Sequence, residues 1–204
     1  QQMRALVRPV GALGAADVIV HRAGVRRILW GMRVWTEGMR ALGYWCGHVI
    51  DLAAQAPDAG ERTRAGALAA LLTPVVKSFF TERGFQLASD ALQVFGGYGY
   101  VHEYRIEQIL RDSRMAMIYE GTNQIQALDL LQRKVLSGPD GLAPLLEVFA
   151  AEAALPSAHA ASLQSWCDTL AQATHALAQD AAQDAELPAR AAEDYLRLVG
   201  TVAL

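Results

Sequence analysis

Cysteine is almost missing from this chain: Cys46 and Cys167 are the only two in 204 residues, far apart and outside any metal-ligand spacing. That excludes a cysteine metal site, and the apolar helical setting of each predicts a buried thiol in a reducing cytoplasm. A basic surplus is missing too. The formal net charge is -3 and no helix carries a basic stripe, so the footprint of a nucleic-acid binder is absent. No apolar run is long enough to span a bilayer and no signal-peptide pattern opens the chain, so a cytoplasmic protein without a membrane span is expected. Charged residues make up only 19% against 52% hydrophobic, which excludes a disordered tail. The five histidines, His21, His48, His102, His159 and His175, form no His-x-x-x-His or Glu-x-x-His pair, so no metal site is expected and a di-iron bundle is excluded. No serine has the Gly-x-Ser-x-Gly setting of a nucleophile elbow. Strand signals of any length are also missing.

What is present is helical periodicity. Residues 1–24 carry Pro9, Gly11, Gly14 and Gly24 without a sustained period and read as a connector. From Val25 the residues Ile28, Met32, Trp35, Met39, Leu42, Cys46, Val49 and Ala53 alternate steps of four and three, the seam of a long bundle helix. Pro57-Asp58-Ala59-Gly60 ends it. Trp35, Tyr44 and Trp45 on this helix read as core. A second helical region runs from Glu61 to Phe95, with Thr73-Pro74 marking either a kink or a fresh start. Gly96-Gly97 stops it. Shorter helices are expected from Tyr104 to Arg111 and from Asn123 to Val135, the latter opened by an Asn123/Gln126 capping box.

Beyond Ser137-Gly138-Pro139 the chain turns alanine-rich, and three more helices are expected near 141–154, 157–179 and 189–204. The middle one has a seam of Leu163, Trp166, Leu170, Ala173 and Leu177. The expected fold is all-α, an up-and-down long-helix bundle over 25–136 with a helical extension over 137–204. The chain starts Gln1-Gln2 and stops at Leu204 inside an apolar-periodic segment, so a piece of a longer protein is expected.

Chemistry concentrates in Tyr119-Glu120-Gly121-Thr122-Asn123-Gln124. A carboxylate follows the apolar run Met115-Ala116-Met117-Ile118, and burial there would raise its pKa, as suits a general base for a weakly acidic proton. The glycine allows close backbone approach, and Thr-Asn can open a helix. Upstream, Gly96-Gly97-Tyr98-Gly99 is no dinucleotide fingerprint, because a helix and not a strand precedes it. A glycine-rich turn after a helix still offers N–H groups to phosphate oxygens. His102-Glu103 reads as a solvated turn, and Arg111-Asp112 and Arg114 read either as ion pairs that hold the neighbouring loop or as groups that face a phosphate.

The stretch from Leu87 through Gln93-Val94-Phe95-Gly96-Gly97-Tyr98-Gly99-Tyr100 resembles the C-terminal domain of the acyl-CoA dehydrogenases, as does Glu107-Gln108-Ile109-Leu110-Arg111-Asp112-Ser113-Arg114 through Gln126. The resemblance is dense over 60–136 and looser along the helix from Arg26. Leu71-Leu72-Thr73-Pro74-Val75-Val76-Lys77 and the extension after Val135 look like the larger branch, which acts on long-chain or methylthio-substituted propanoyl thioesters. The resemblance implies that family's bundle fold and α,β-dehydrogenation of an acyl-CoA with FAD as hydride acceptor. It makes Glu120 the base for the α-proton. Tyr119 and Gly121 then lie beside the substrate, and Thr122, Asn123 and Gln124 contact FAD at a helix start. Gln93, Gly96 and Gly97 match a segment reaching the ADP part of FAD held mainly by a neighbouring subunit. A homodimer or homotetramer follows, with electron-transfer flavoprotein as the electron acceptor.

Departures bear on activity. The family's arginine that contacts FAD has no counterpart in residues 1–24, and its amino-terminal helical and middle β-domains are absent from this sequence. The chain alone is therefore expected neither to retain FAD nor to turn over substrate. The competing expectation is a non-catalytic module of the same fold, serving oligomerisation or partner binding.

Overall fold

Every regular element in the computed structural model is helical over the residues it describes, 16–204. Most of the connector expected at 1–24 lies outside them. Its described end holds a 3-10 turn, Ile19–His21, tied down by Arg26 Nη1 donating to His21 O at 2.8 Å.

Helix α1, Ala23–Gln55, realises the four-three seam, with Leu42, Cys46 and Val49 buried and Trp35 half-buried edge-on to Phe79 at 5.9 Å. Tyr44 departs from its expected core role. It is 76% exposed, because the seam passes through Leu42, Cys46 and Val49 and leaves position 44 on the outer side. Asp58 caps the next helix by accepting from Glu61 N–H at 2.7 Å. Arg62 Nη1 donates to Ala56 O at 2.6 Å across the same turn.

Helix α2, Ala59–Phe95, runs through Pro74 without a break. Of the two outcomes open at Thr73-Pro74, a fresh start is therefore not taken. The Pro74 ring is fully buried, and Thr73 Oγ1 donates to Ala69 O at 2.7 Å in the adjoining turn. At about 1.5 Å per residue, α2 is a spine about 55 Å long. It ends where Gly96 turns the chain with φ +61°. A single turn α3, Gly97–Tyr100, and a 3-10 turn, His102–Tyr104, follow. Helix α4, Ile106–Met115, starts later and runs further than the expected 104–111, because Arg105 is left-handed (φ 60°) and a helix begins only after it.

Helix α5, Asn123–Leu128, passes directly into a π-helical stretch, Asp129–Leu136. Helices α6 (Ala143–Ala153), α7 (Ala160–Asp180) and α8 (Leu187–Val202) complete the fold. One core joins them to the bundle, with Phe79, Leu72 and Val75 of α2 meeting Leu130, Leu131, Leu145, Leu170, Leu196 and Val199. Helix α8 closes on α2 at Gly200, where a Cβ would stand 2.5 Å from the Phe79 ring. Arg197 Nε donates to Glu82 at 2.9 Å beside that contact. On α7 the expected seam shifts by one residue. Trp166 is 49% exposed and Cys167 takes its place, since the buried face steps Leu163, Cys167, Leu170. Burial pushes the thiols of Cys46 and Cys167 up. Among the described residues no helix is long and apolar enough to cross a membrane, and no cluster of three His, Cys, Asp or Glu is placed to hold a metal.

Candidate functional site

After α4 the chain winds once more, Ile118 N–H donating to Met115 O at 2.9 Å, and then reverses. Glu120 sits at φ 53° and Gly121 at φ 86°, two left-handed residues in a row. For a glutamate that posture costs about 1–2 kcal/mol, so the surroundings must enforce it. They do so from both sides. Gln126 Nε2 donates to Glu120 O at 3.3 Å, and the Lys77 ammonium of α2 donates to Gly121 O. Thr122 then caps α5, its Oγ1 accepting from Ile125 N–H at 3.3 Å.

Two expectations change here. The cap is Thr122 and not Asn123, and Gln126 reaches the carbonyl of Glu120, so the Asn123/Gln126 capping box does not form. Asn123 is instead 5% exposed and turned inward. Its Oδ1 accepts from Lys77 Nζ at 3.1 Å and from Thr81 Oγ1 at 3.0 Å, and its Nδ2 donates to Ser78 O at 3.2 Å. The second change concerns burial. Glu120 is exposed, with Tyr119, Met115 and Ile118, because the left-handed turn aims the carboxylate away from the core. The apolar run that suggested a buried acid lies largely on the surface.

Lys77 is half-buried. Burial lowers its pKa, and the Glu120 carboxylate opposes that shift. It and Thr81 and Ser78 were missed in the sequence. A signal existed, since Lys77 and Lys134 are the only lysines in a chain that otherwise uses arginine. A compact ammonium with three donors suits two carbonyl acceptors in a tight space better than a planar guanidinium does.

Glu120, Gly121, Thr122 and Asn123 are thus brought together over one segment of α2. Gln93, Gly96 and Gly97 form a separate exposed patch, about 24 Å along α2 from Lys77. There the Tyr104 ring lies tilted against Tyr98 at 5.1 Å and edge-on to Phe95 at 6.5 Å, all three exposed. Arg111 pairs with Glu107 at 3.0 Å, His102 meets the same carboxylate at 2.9 Å, and the Arg114 guanidinium lies over Phe85. The Glu107 carboxyl is held below the usual range, first by its hydrogen bond to His102. A cleft of about 900 Å³ between α1, α2 and α6, lined by Trp45, His48, Leu52, Arg64 and Glu147, contains none of the expected site residues.

Residues 15–135 match the family profile described as acyl-CoA dehydrogenase, C-terminal domain. The chain is 38% identical over 205 residues to 3-methylmercaptopropionyl-CoA dehydrogenase of Ruegeria pomeroyi, covering 96% of this chain and 35% of that protein. It is 35% identical over 119 residues to the broad-specificity linear acyl-CoA dehydrogenase FadE5 of Mycobacterium tuberculosis, covering 58% of this chain and 20% of that protein. Among solved structures, Caenorhabditis elegans ACDH-11 in complex with C11-CoA superposes at TM-score 0.72 with 20% identity, over 96% of this chain and 34% of that one.

Proposed function

Because the chain belongs to the acyl-CoA dehydrogenase family, as its C-terminal domain, we propose that it forms the base-bearing wall of a flavin-dependent enzyme that removes an α- and a β-hydrogen from an acyl-CoA thioester. The observation that carries this reading is the posture of Glu120: an outward carboxylate on a strained left-handed residue, with its own carbonyl held by Gln126 and that of Gly121 by Lys77. Strain kept in place this way suits a group that must meet a reacting atom.

In the reaction, the Glu120 carboxylate accepts the α-proton. The electron pair of that C–H bond becomes the α,β double bond, and the β-hydrogen leaves with its own pair as hydride. FAD, when bound, supplies the acceptor for that hydride. The thioester carbonyl acidifies the α-proton, and closing this open face from water strengthens a carboxylate as a base. Tyr119 and Gly121 stand beside the carboxylate, where the acyl chain passes.

The residues present suit FAD. Gln93 and Gln124 bring exposed amide groups and Thr122 a hydroxyl, and nothing lies within 4 Å of where a Cβ would stand on Gly96 or Gly97. Asn123 serves differently from a direct contact, because its amide is engaged with Lys77, Thr81 and Ser78. It holds Thr122 and Gln124 in position. The separation of about 24 Å along α2 between Lys77, which holds the Glu120 turn, and Gln93 supports two contact regions rather than one, which fits a cofactor shared with a neighbouring subunit in a homodimer or homotetramer. Electron-transfer flavoprotein is the proposed electron acceptor. The relative aligned over nearly the whole chain acts on a methylmercaptopropionyl thioester, so such a thioester belongs in the substrate panel beside linear acyl-CoAs.

The test is Glu120→Gln in the full-length enzyme. It should abolish acyl-CoA-dependent flavin reduction while flavin stays bound, and reduction at the unaltered rate would falsify the assignment. That result would favour the second reading, a non-catalytic assembly module, whose support is the exposed apolar face of Trp30, Val34 and Tyr44 on α1.

A further inference from the structure

We infer that Lys77 is the positioning residue of the base: it clamps the Glu120–Gly121 turn to the rigid spine of α2 and so fixes where the carboxylate stands. The inference rests on the assignment of Glu120 as that base.

The geometry begins with the turn. Gly121, at φ 86°, lies directly after the glutamate, and a glycine in this region swings easily between conformations. The carbonyl of Glu120 itself is held by Gln126; left free, the next peptide, Gly121–Thr122, would swing and loosen the turn that carries the carboxylate. The Lys77 ammonium prevents this by donating to Gly121 O and, at 3.1 Å, to Asn123 Oδ1. One side chain thereby ties together the residue after the base and the first residue of α5.

The anchor is firm. Asn123 Oδ1 takes a second donor from Thr81, one turn further along α2, and Asn123 Nδ2 donates to the carbonyl of Ser78. Lys77 projects from a helix whose next face, Leu72, Val75 and Phe79, is fully buried. The position of the base is therefore referenced to the core and not to the loop itself. Lysine is also the residue that can do this: its ammonium divides three donors between two carbonyl acceptors, where a guanidinium presents a flat fork. The Glu120 carboxylate is near enough to favour the charged ammonium, against the burial that opposes it.

A merely structural lysine would affect folding or substrate binding. A positioning lysine affects the chemical step, because small misplacement of a catalytic group is expensive in rate and nearly free in affinity. The experiment uses full-length, flavin-loaded Lys77→Met and follows flavin reduction in single turnovers over a range of acyl-CoA concentrations. The limiting rate is expected to fall on the order of tenfold to a hundredfold, with the half-saturating concentration within about twofold of wild type. Lys77→Cys should show the same loss and recover on alkylation with 2-bromoethylamine, which rebuilds an ammonium at that length, while wild type treated in parallel stays unchanged.

A limiting rate within about twofold of wild type, or a loss confined to the half-saturating concentration, overturns the inference. Should Lys77→Met not accumulate as holoenzyme, Lys77→Arg takes its place: charge is kept, the two-acceptor geometry is lost, and a roughly tenfold slower limiting rate is expected, an unaltered rate being the contrary result. Glu120→Gln, run alongside, separates the two ideas. If it abolishes reduction while Lys77→Met does not slow it, the clamp alone fails. If it too reduces at the wild-type rate, the base assignment fails and the clamp with it.

Discussion

Tyr195 shows how much a single polar atom can commit to in this protein. The side chain is 4% exposed, and its hydroxyl meets Thr174 Oγ1 at 2.7 Å. Burial pushes its pKa from 10.0 up to about 12, with the Thr174 hydrogen bond pulling slightly the other way. Below pH 10 folded and unfolded chains both keep the proton, and this residue's contribution is intact. Between pH 10 and about 12 the unfolded chain loses a proton that the folded chain retains, so stability falls as pH rises. The loss is about 3 kcal/mol, an order-of-magnitude figure from two pH units. Denaturation midpoints measured from pH 9 to 12 should therefore drop more steeply for wild type than for Tyr195→Phe, and parallel curves would contradict this. Glu120 stands at the opposite extreme. It is exposed, and what distinguishes it is backbone strain and the bonds that hold it.

Among the elements, α2 organises the rest. It carries the buried face against which α5, the π-helical stretch and α8 pack, and it carries Lys77, Ser78 and Thr81 on the side that holds the Glu120–Asn123 turn. The proline in its middle did not break it, because the fully buried ring gains contacts that offset one lost hydrogen bond. Helix α8 reaches this spine only because position 200 has no side chain. Gly200→Ala would place a methyl 2.5 Å from Phe79 Cδ2, at a fully buried ring that cannot retreat. Overpacking of this kind costs about 1–3 kcal/mol. Urea unfolding should show a lower midpoint with an unchanged slope, and a change under about 0.5 kcal/mol would mean the helices separate more easily than the packing indicates.

At the scale of the whole molecule, one face is finished and another is open. Phe79, Leu131, Leu170 and Leu196 close a continuous core, whereas Tyr98 and Tyr104 in one patch and Ile118, Tyr119 and Glu120 in another are exposed. A flavin held only by residues such as Gln93, Gly97 and Gln124 would stay largely in water. The 204-residue chain purified alone is thus expected to be colourless, without flavin absorbance near 450 nm after incubation with FAD and gel filtration. A yellow, active preparation would show that this face is sufficient as it stands.

The long elements were legible because their signals are local and repeated. The four-three spacing of Ile28 through Val49 predicts a long helix wherever its partners are, and Pro57-Asp58 and Gly96 stop helices through their own backbone preferences. The order of Gly96-Gly97 and Tyr119-Glu120-Gly121-Thr122 likewise identified the family from sequence alone. What only the tertiary structure decided is where those residues face. Glu120 looked buried by its apolar neighbours, yet a left-handed turn aims it outward. Asn123 looked like a helix cap, yet its amide is claimed by α2. Lys77 reads in the sequence only as the end of a family-like stretch, yet its ammonium donates to the carbonyl of Gly121 beside Glu120. The last two depend on hydrogen bonds between residues more than forty positions apart in sequence, and the first on a left-handed reversal at Glu120 and Gly121; a periodicity measured along the chain carries no information about either.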